Sequence, residues 1–169
     1  VAEQLDPDNR LLWRMNIHRL SWEEFRDTLL ATTGQLDPQL GGRSADLFAG
    51  NGSGNRRRTL YGTVDRQFLP AVLRIFDFAN PDLHIPARSE TTEPQQAQFT
   101  LNHPLMAEKA RGLAQHAGLD EVADPLQKLS RLFRAAYQRE PTLEENEAAL
   151  VFLETSVELP PVTPSEESK

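Results

Sequence analysis

The chain has 169 residues, 38% hydrophobic and 25% charged, a composition of soluble globular domains and long enough for one core of its own. Asp and Glu number 25 against 18 Lys and Arg, a formal net charge of −7; this argues against nonspecific nucleic-acid binding as the main task, because phosphate neutralisation needs a clustered positive surface. There is no cysteine, so disulfides, thiolate catalysis, zinc–thiolate sites and haem attachment through Cys-x-x-Cys-His are excluded within the chain.

No apolar run approaches the roughly 20 residues that span a bilayer, and the polar, acidic N-terminus does not read as a signal peptide. The start at Val1 without a methionine leads us to expect a processed product, a domain or a fragment of a larger polypeptide.

Asp6-Pro7 has the form of an N-cap followed by proline at the first helical position, which predicts a short helix over 7–16. Leu11, Leu12, Trp13 and Met15 would then lie on more than one of its sides, as in a helix between two layers. Ser21 with Glu24 matches a capping box, and Trp22, Phe25, Leu29 and Leu30 share one face, so a helix is expected over 21–32, stopped at Gly34.

Residues 34–57 hold six of the nine glycines and break the pattern. Neither a phosphate-binding Walker loop, which needs Gly-Lys-Ser/Thr, nor a dinucleotide fingerprint fits the spacing, and 43–57 is expected to be the most mobile internal segment. Arg56-Arg57-Arg58, the one basic run, reads as a solvated loop edge. Thr59–Val64 suits a short strand or extended segment. Leu69–Phe78 suggests a helix with Val72, Leu73 and Phe76 inward, and the proline-rich 79–90 stretch an irregular connection.

The C-terminal part is plainly helical. Pro104 opens one helix (104–117) closed by Gly118. Asp124-Pro125 caps a second (125–139), with Leu126, Leu129, Leu132, Phe133, Ala136 and Tyr137 on one face. A Thr142/Glu145 capping box starts a third (142–156), which Leu143, Leu150, Val151 and Leu153 should bury. Short connections favour antiparallel neighbours. The fold class expected is therefore mainly α: an irregular multi-helix domain over 1–157 with a long glycine-rich loop, followed by a disordered polar, proline-rich tail at 158–169.

Candidate chemistry is sparse. His18, His84, His103 and His116 form no His-Glu-x-x-His pattern, and a catalytic metal normally needs three protein ligands; no metal site and no cofactor is expected. No Gly-x-Ser-x-Gly elbow supports a hydroxyl nucleophile, and Glu144-Glu145 sit where a helix N-terminus favours negative charge. No catalytic residue is assigned. What remains is the run "RSETTEPQQAQFTLNHP", residues 88–104. Thr91 or Thr92 can cap a helix that ends near Asn102, Glu93-Pro94 suit its first turn, and Phe99 and Leu101 anchor it. As a binding surface the run would offer Arg88, Thr91, Thr92, Gln95 and Gln96, because polar loop residues on a rigid scaffold often carry function.

Several blocks occur in a fixed order: "DPDNRLLWRMNIHRLSWEEFRDTLLATTGQLD", "GG", "RRRTLYGTVDRQFLPAVLRIFDFANPD", "ARSETTEPQQAQFTLNHPLMAEKARGLA" and "LFRAAYQREPTLEENEAALVFL". Together, over about residues 6–155, they resemble the C-terminal domain of unknown function of large secreted planctomycete and verrucomicrobial proteins, which often also carry a planctomycete-type cytochrome c domain. The family usually has threonine at the position of Glu93 and Arg-Asn at that of Arg88-Ser89. The resemblance implies an extracytoplasmic location and carries over no catalytic residue.

The leading expectation is a non-catalytic structural or interaction domain of a larger exported protein. Its partner would be a preceding N-terminal domain, another polypeptide or a second copy of the chain. An alternative is a component of an enzyme acting on glycans or their breakdown products, with a site shared with that N-terminal domain. A third reading is a docking domain for a cytochrome c.

Overall fold

Ser21 starts the first long helix as its sequence requires. Its Oγ accepts from Glu24 N–H at 3.3 Å while Glu24 Oε2 accepts from Ser21 N–H at 2.8 Å, so two backbone donors are satisfied reciprocally. The computed structural model describes residues 2–16, 18–48 and 55–157. Among them are seven α-helices: α1 Ala2–Leu5, α2 Trp22–Thr32, α3 Ala71–Ile75, α4 Pro94–Asn102, α5 Pro104–His116, α6 Pro125–Tyr137 and α7 Leu143–Val157. Among the described residues there is no strand, and the architecture is the expected irregular multi-helix domain. The tail at 158–169 expected to be disordered, and residues 49–54 within the 43–57 stretch expected to be mobile, lie outside the described residues.

The core gathers around Trp22. Leu73 and Leu105 are buried with it, and Phe25, Phe76 and Phe99 pack against them. Phe76 and Phe99 meet the indole at 5.1 and 5.5 Å between centroids, the tilted and edge-on arrangements that aromatic quadrupoles favour. Thus α2, α3, α4 and α5 share one aromatic nucleus, and the inward placement of Val72, Leu73 and Phe76 is as expected. Among the described residues Trp22 Nε1, buried, finds no acceptor.

Two buried cations tie this nucleus to its loops. Arg26 of α2 is buried, donating to Arg57 O at 3.0 Å, to Thr59 Oγ1 at 3.2 Å and to Asn55 O. Burial pushes its pKa down and Asp27 pushes it back up. Lys109 of α5 is also buried, with Nζ donating to Gln35 Oε1 at 2.7 Å and to Glu108 Oε1 at 3.0 Å. After α2 the chain turns at Gly34, whose φ of +65° and whose close approach to the His116 ring (2.9 Å from where a Cβ would stand) both disfavour a side chain.

Several expectations need correction or refinement. Residues 7–16 are not helical: Asn9 and Leu12 take φ of +54° and +55°, and the Asp6 carboxylate accepts from Arg10 N and Leu11 N at 2.9 and 2.7 Å. Side-chain acceptors thus give this backbone an alternative to the helical ladder. Of the short strand or extended segment expected at 59–64, Thr59–Tyr61 is instead a single 3₁₀ turn; Gly62 after it is extended, and the nearby pairing is two isolated bridges, Asp37 with Arg57 and Ala45 with Gly62. Within the basic run Arg56 and Arg58 are exposed, as a solvated edge requires, while half-buried Arg57 is held in place, donating to Arg43 O at 2.8 Å and to Gly41 O and lying 4.3 Å over the Tyr61 ring. Leu101 is no anchor; it is exposed, and only Phe99 of that pair reaches the core. Finally, α6 has no fully buried residue, and Leu143, Val151 and Leu153 of α7 are exposed rather than covered. Among the described residues α6 packs chiefly on α5 and α7.

Candidate functional site

The successive carboxylates of α2 decide the geometry. Glu23, Glu24 and Asp27 recur at helical spacing and so share one side of α2. Opposite them runs the segment 58–64, and between the two lies a cleft of about 900 Å³. Leu47, Leu73 and Phe78 contribute to its apolar floor, and Arg58 and Arg88 to its walls. Its size is that of a ligand pocket, and an apolar interior with a few polar groups is the usual composition of one.

Each carboxylate already has a partner. Arg88 grips Glu23 with two parallel bonds of 2.8 and 2.9 Å and lies 4.7 Å over the Phe78 ring. The hydrogen bond to Glu23 raises the Arg88 pKa, desolvation opposing it. Asp27 Oδ1 accepts from Thr59 N and Thr59 Oγ1, both at 2.7 Å, and Oδ2 faces Arg58 Nε at 3.5 Å. Glu24 is held below the usual carboxylate range chiefly by the Ser21 backbone N–H. A general acid needs a carboxyl kept protonated near neutral pH; Glu24 is driven the other way, and Glu23 and Asp27 have their oxygens engaged.

Beside this cleft, sharing Arg88 and Ser21 with it, is a smaller pocket of about 160 Å³ bordered by Asp77, Gln96 and His18. Here the run at 88–96 is used. Thr91 donates its hydroxyl to Asp77 Oδ1 at 2.7 Å and its N–H to Asp77 Oδ2 at 2.8 Å. Arg19 donates to Thr91 O. Gln96, buried, donates Nε2 to Ile75 O at 2.7 Å and turns Oε1 back to Glu93 N–H at 3.2 Å. These bonds dock the run onto the end of α3.

The structure therefore brings Arg88, Thr91 and Gln96 together around α2 and Asp77, and leaves Thr92 and Gln95 exposed. The helix cap is also reassigned. Glu93, not Thr91 or Thr92, is the N-cap of α4, with Pro94 at the first helical position and Gln96 in the box position. Thr91 is engaged by Asp77 instead. Sequence reasoning missed Asp27, Asp77 and Arg26. Asp77 carries a weak signal, as a lone acid ending an apolar helix and one of the types that tolerate its φ of +55°; Arg26 and Asp27 carry none.

Chemically the arrangement is one of closed pairs. His103 stacks on Phe99 at 4.2 Å and accepts from Leu105 N–H as the cap of α5, and His18 approaches Glu24 only to 4.0 Å. Among the described residues no group of three His, Asp or Glu is placed to hold a metal ion, and no helix is long and apolar enough to cross a membrane.

Compared with known proteins, the chain finds no match among curated proteins and none among solved structures. One family model covers residues 1–153, under the description "PSD1: Protein of unknown function (DUF1553)". With all but the last residues of the chain inside that match, the protein belongs to the PSD1 family of unknown function.

Proposed function

We propose that this chain is a non-catalytic interaction domain of a larger exported protein, and that its α6–α7 end is the surface on which another polypeptide, or a preceding domain of the same one, is laid. The observation that carries this is the state of those two helices. On amphipathic α6 Tyr137 is 65% exposed, and on α7 Leu143, Val151 and Phe152 are 81%, 62% and 68% exposed. Soluble monomers seldom leave so many large apolar side chains of two adjacent helices to water without a use for them. The engaged carboxylates of the α2 cleft support the non-catalytic half of the reading. Export rests on the resemblance to secreted proteins, and a cytochrome domain would be one neighbour in such a polypeptide.

A photo-crosslinking residue in place of Phe152, in the full-length gene product made in its own host, tests this. A discrete crosslink to one polypeptide or one neighbouring domain is expected. The control is the same group at exposed Gln98 of α4. Equal, diffuse crosslinking from both positions would contradict the reading.

A further inference from the structure

The segment 6–16 is short of regular structure but not of order. Asn9 is buried and binds three groups of the same loop: Arg14 O at 2.8 Å, Asn16 Oδ1 at 2.7 Å and, through Oδ1, Arg14 N–H at 3.1 Å. Trp13 Nε1 donates to Asp6 O at 2.8 Å. The Asp6 carboxylate holds the opposite side of the turn. This framework keeps Leu12 at φ +55°, a left-handed conformation that leucine rarely adopts and that costs free energy unless its surroundings enforce it. The result is a fixed tip on which Leu11, Leu12 and Met15 are 83%, 72% and 81% exposed. Exposed Arg10 and Arg14 flank them.

A tip of this kind is preorganised for a shaped receptor, because ordering costs are met before binding. A fluid lipid surface makes no such demand on shape. The receptor that complements the tip is on this same molecule. The α2 cleft has an apolar floor and, at about 900 Å³, room for several side chains. Leu20, Leu60 and Val64 at its edge are exposed, Leu60 at 72%. Glu23 and Asp27 are matched by Arg88 and Arg58. Glu24, which His18 Nε2 approaches only to 4.0 Å, leaves that wall with one carboxylate more than its two arginines, the complement of Arg10 and Arg14 on the tip.

We infer that the chain self-associates by inserting the Leu11-Leu12-Met15 tip of each copy into the α2 cleft of the other. A twofold arrangement makes the two insertions equivalent, and together they would exceed the roughly 1,000 Å² that separates specific interfaces from incidental contacts. This deepens the interaction-domain reading by naming a second partner and its site. It is independent of α6–α7: a failed crosslink at position 152 leaves it standing, and its own failure leaves that surface untouched.

Sedimentation velocity over a concentration series, with circular dichroism as the check on folding, tests it. The native chain is expected to dimerise. Leu11→Ser/Leu12→Ser on the tip, and separately Leu60→Glu/Val64→Glu on the cleft edge, alter exposed side chains and should each weaken the dimer by about 30-fold or more, as truncation of anchor residues does. The two variants differ in which half they keep: the tip variant has an intact cleft and the cleft variant an intact tip. Mixing them should restore association above that of either alone. A native chain that stays monomeric at high concentration would overturn the inference. So would a dimer indifferent to either variant, a mixture no better than its components, or a monomer that floats with phosphatidylcholine vesicles through the same tip.

Discussion

α2 and α6 carry apolar residues at the same helical spacing, and their fates differ. On α2, Trp22 and Leu30 are fully buried and Phe25 packs on the core, because α5 and the 59–61 turn close over that side. On α6, Leu126 and Tyr137 remain 43% and 65% exposed, because among the described elements the helix packs chiefly on α5 and α7 and its other side is left open. Periodicity thus identifies the face that must be covered, but not which polypeptide covers it. Around Trp22 the chain supplies its own cover; at α6–α7 the cover comes from elsewhere on our reading.

The sharpest way to break this comparison is to truncate one residue in each region. Trp22→Ala should destabilise the chain by about 3–5 kcal/mol, the usual cost of deleting a large buried aromatic. Phe152→Ala should change stability by no more than about 0.5 kcal/mol, as surface substitutions do. Urea denaturation of both variants measures the contrast, and similar losses would remove it. Arg26→Ala comes next, at about 3 kcal/mol, because the carbonyls of Asn55 and Arg57 and the hydroxyl of Thr59 lose a buried donor. The same denaturation series should show Arg26→Lys recovering only part of this, since an ammonium cannot reproduce the fork.

These expectations also mark how far the residues alone could be read. Ser21/Glu24, Asp124-Pro125 and Thr142/Glu145 are local signals, each settled by bonds within four residues, and all three helix starts stand where they indicate. Asp6-Pro7 looked equally local, but the carboxylate found backbone donors four and five residues on and the helix gave way to a turn. The candidate run was legible in part. That Gln96 bonds backbone could be anticipated from residue type; that Thr91 is captured by Asp77 depends on a contact 14 residues away in the chain. The pairing of Glu23 with Arg88, 65 residues apart, has no trace in spacing at all. Long-range polar partners are fixed by packing, and packing is what periodicity does not specify.

A smaller effect separates the roles within the run. Thr91→Val removes the hydroxyl from a half-buried carboxylate and should cost about 1.5 kcal/mol, while Thr91→Ser should stay within about 0.5 kcal/mol. Gln95, exposed beside it, should tolerate alanine without measurable loss. Thermal unfolding distinguishes these; equal losses at Thr91 and Gln95 would mean that the Asp77 clamp does not hold the run.

The smallest effect is at the start of α7. Glu145 is lowered from its ordinary value of 4.5 to about 2, first by the hydrogen bonds from Arg139 and then by Thr142 N–H. A carboxyl depressed on folding contributes stability that is complete above the unfolded value and is lost as pH falls through the folded one. The first turn of α7 should therefore loosen between about pH 4.5 and about pH 2. Glu145→Gln should make amide exchange of Asn146 and its neighbours insensitive to pH in that window, after correction for intrinsic rates.

Native-state hydrogen exchange on the whole chain, followed by mass spectrometry or by nuclear magnetic resonance, tests the difference between the two regions most directly. If α2 and α5 are held by the Trp22 nucleus while α6 and α7 lack a layer, the amides of α2 and α5 should exchange only through global unfolding. Those of α6 and α7 should open at a lower free energy, as a separate unit. Protection of α6 and α7 equal to that of α2, in a monomeric chain, would contradict the account, because it would show that this end of the molecule is already complete.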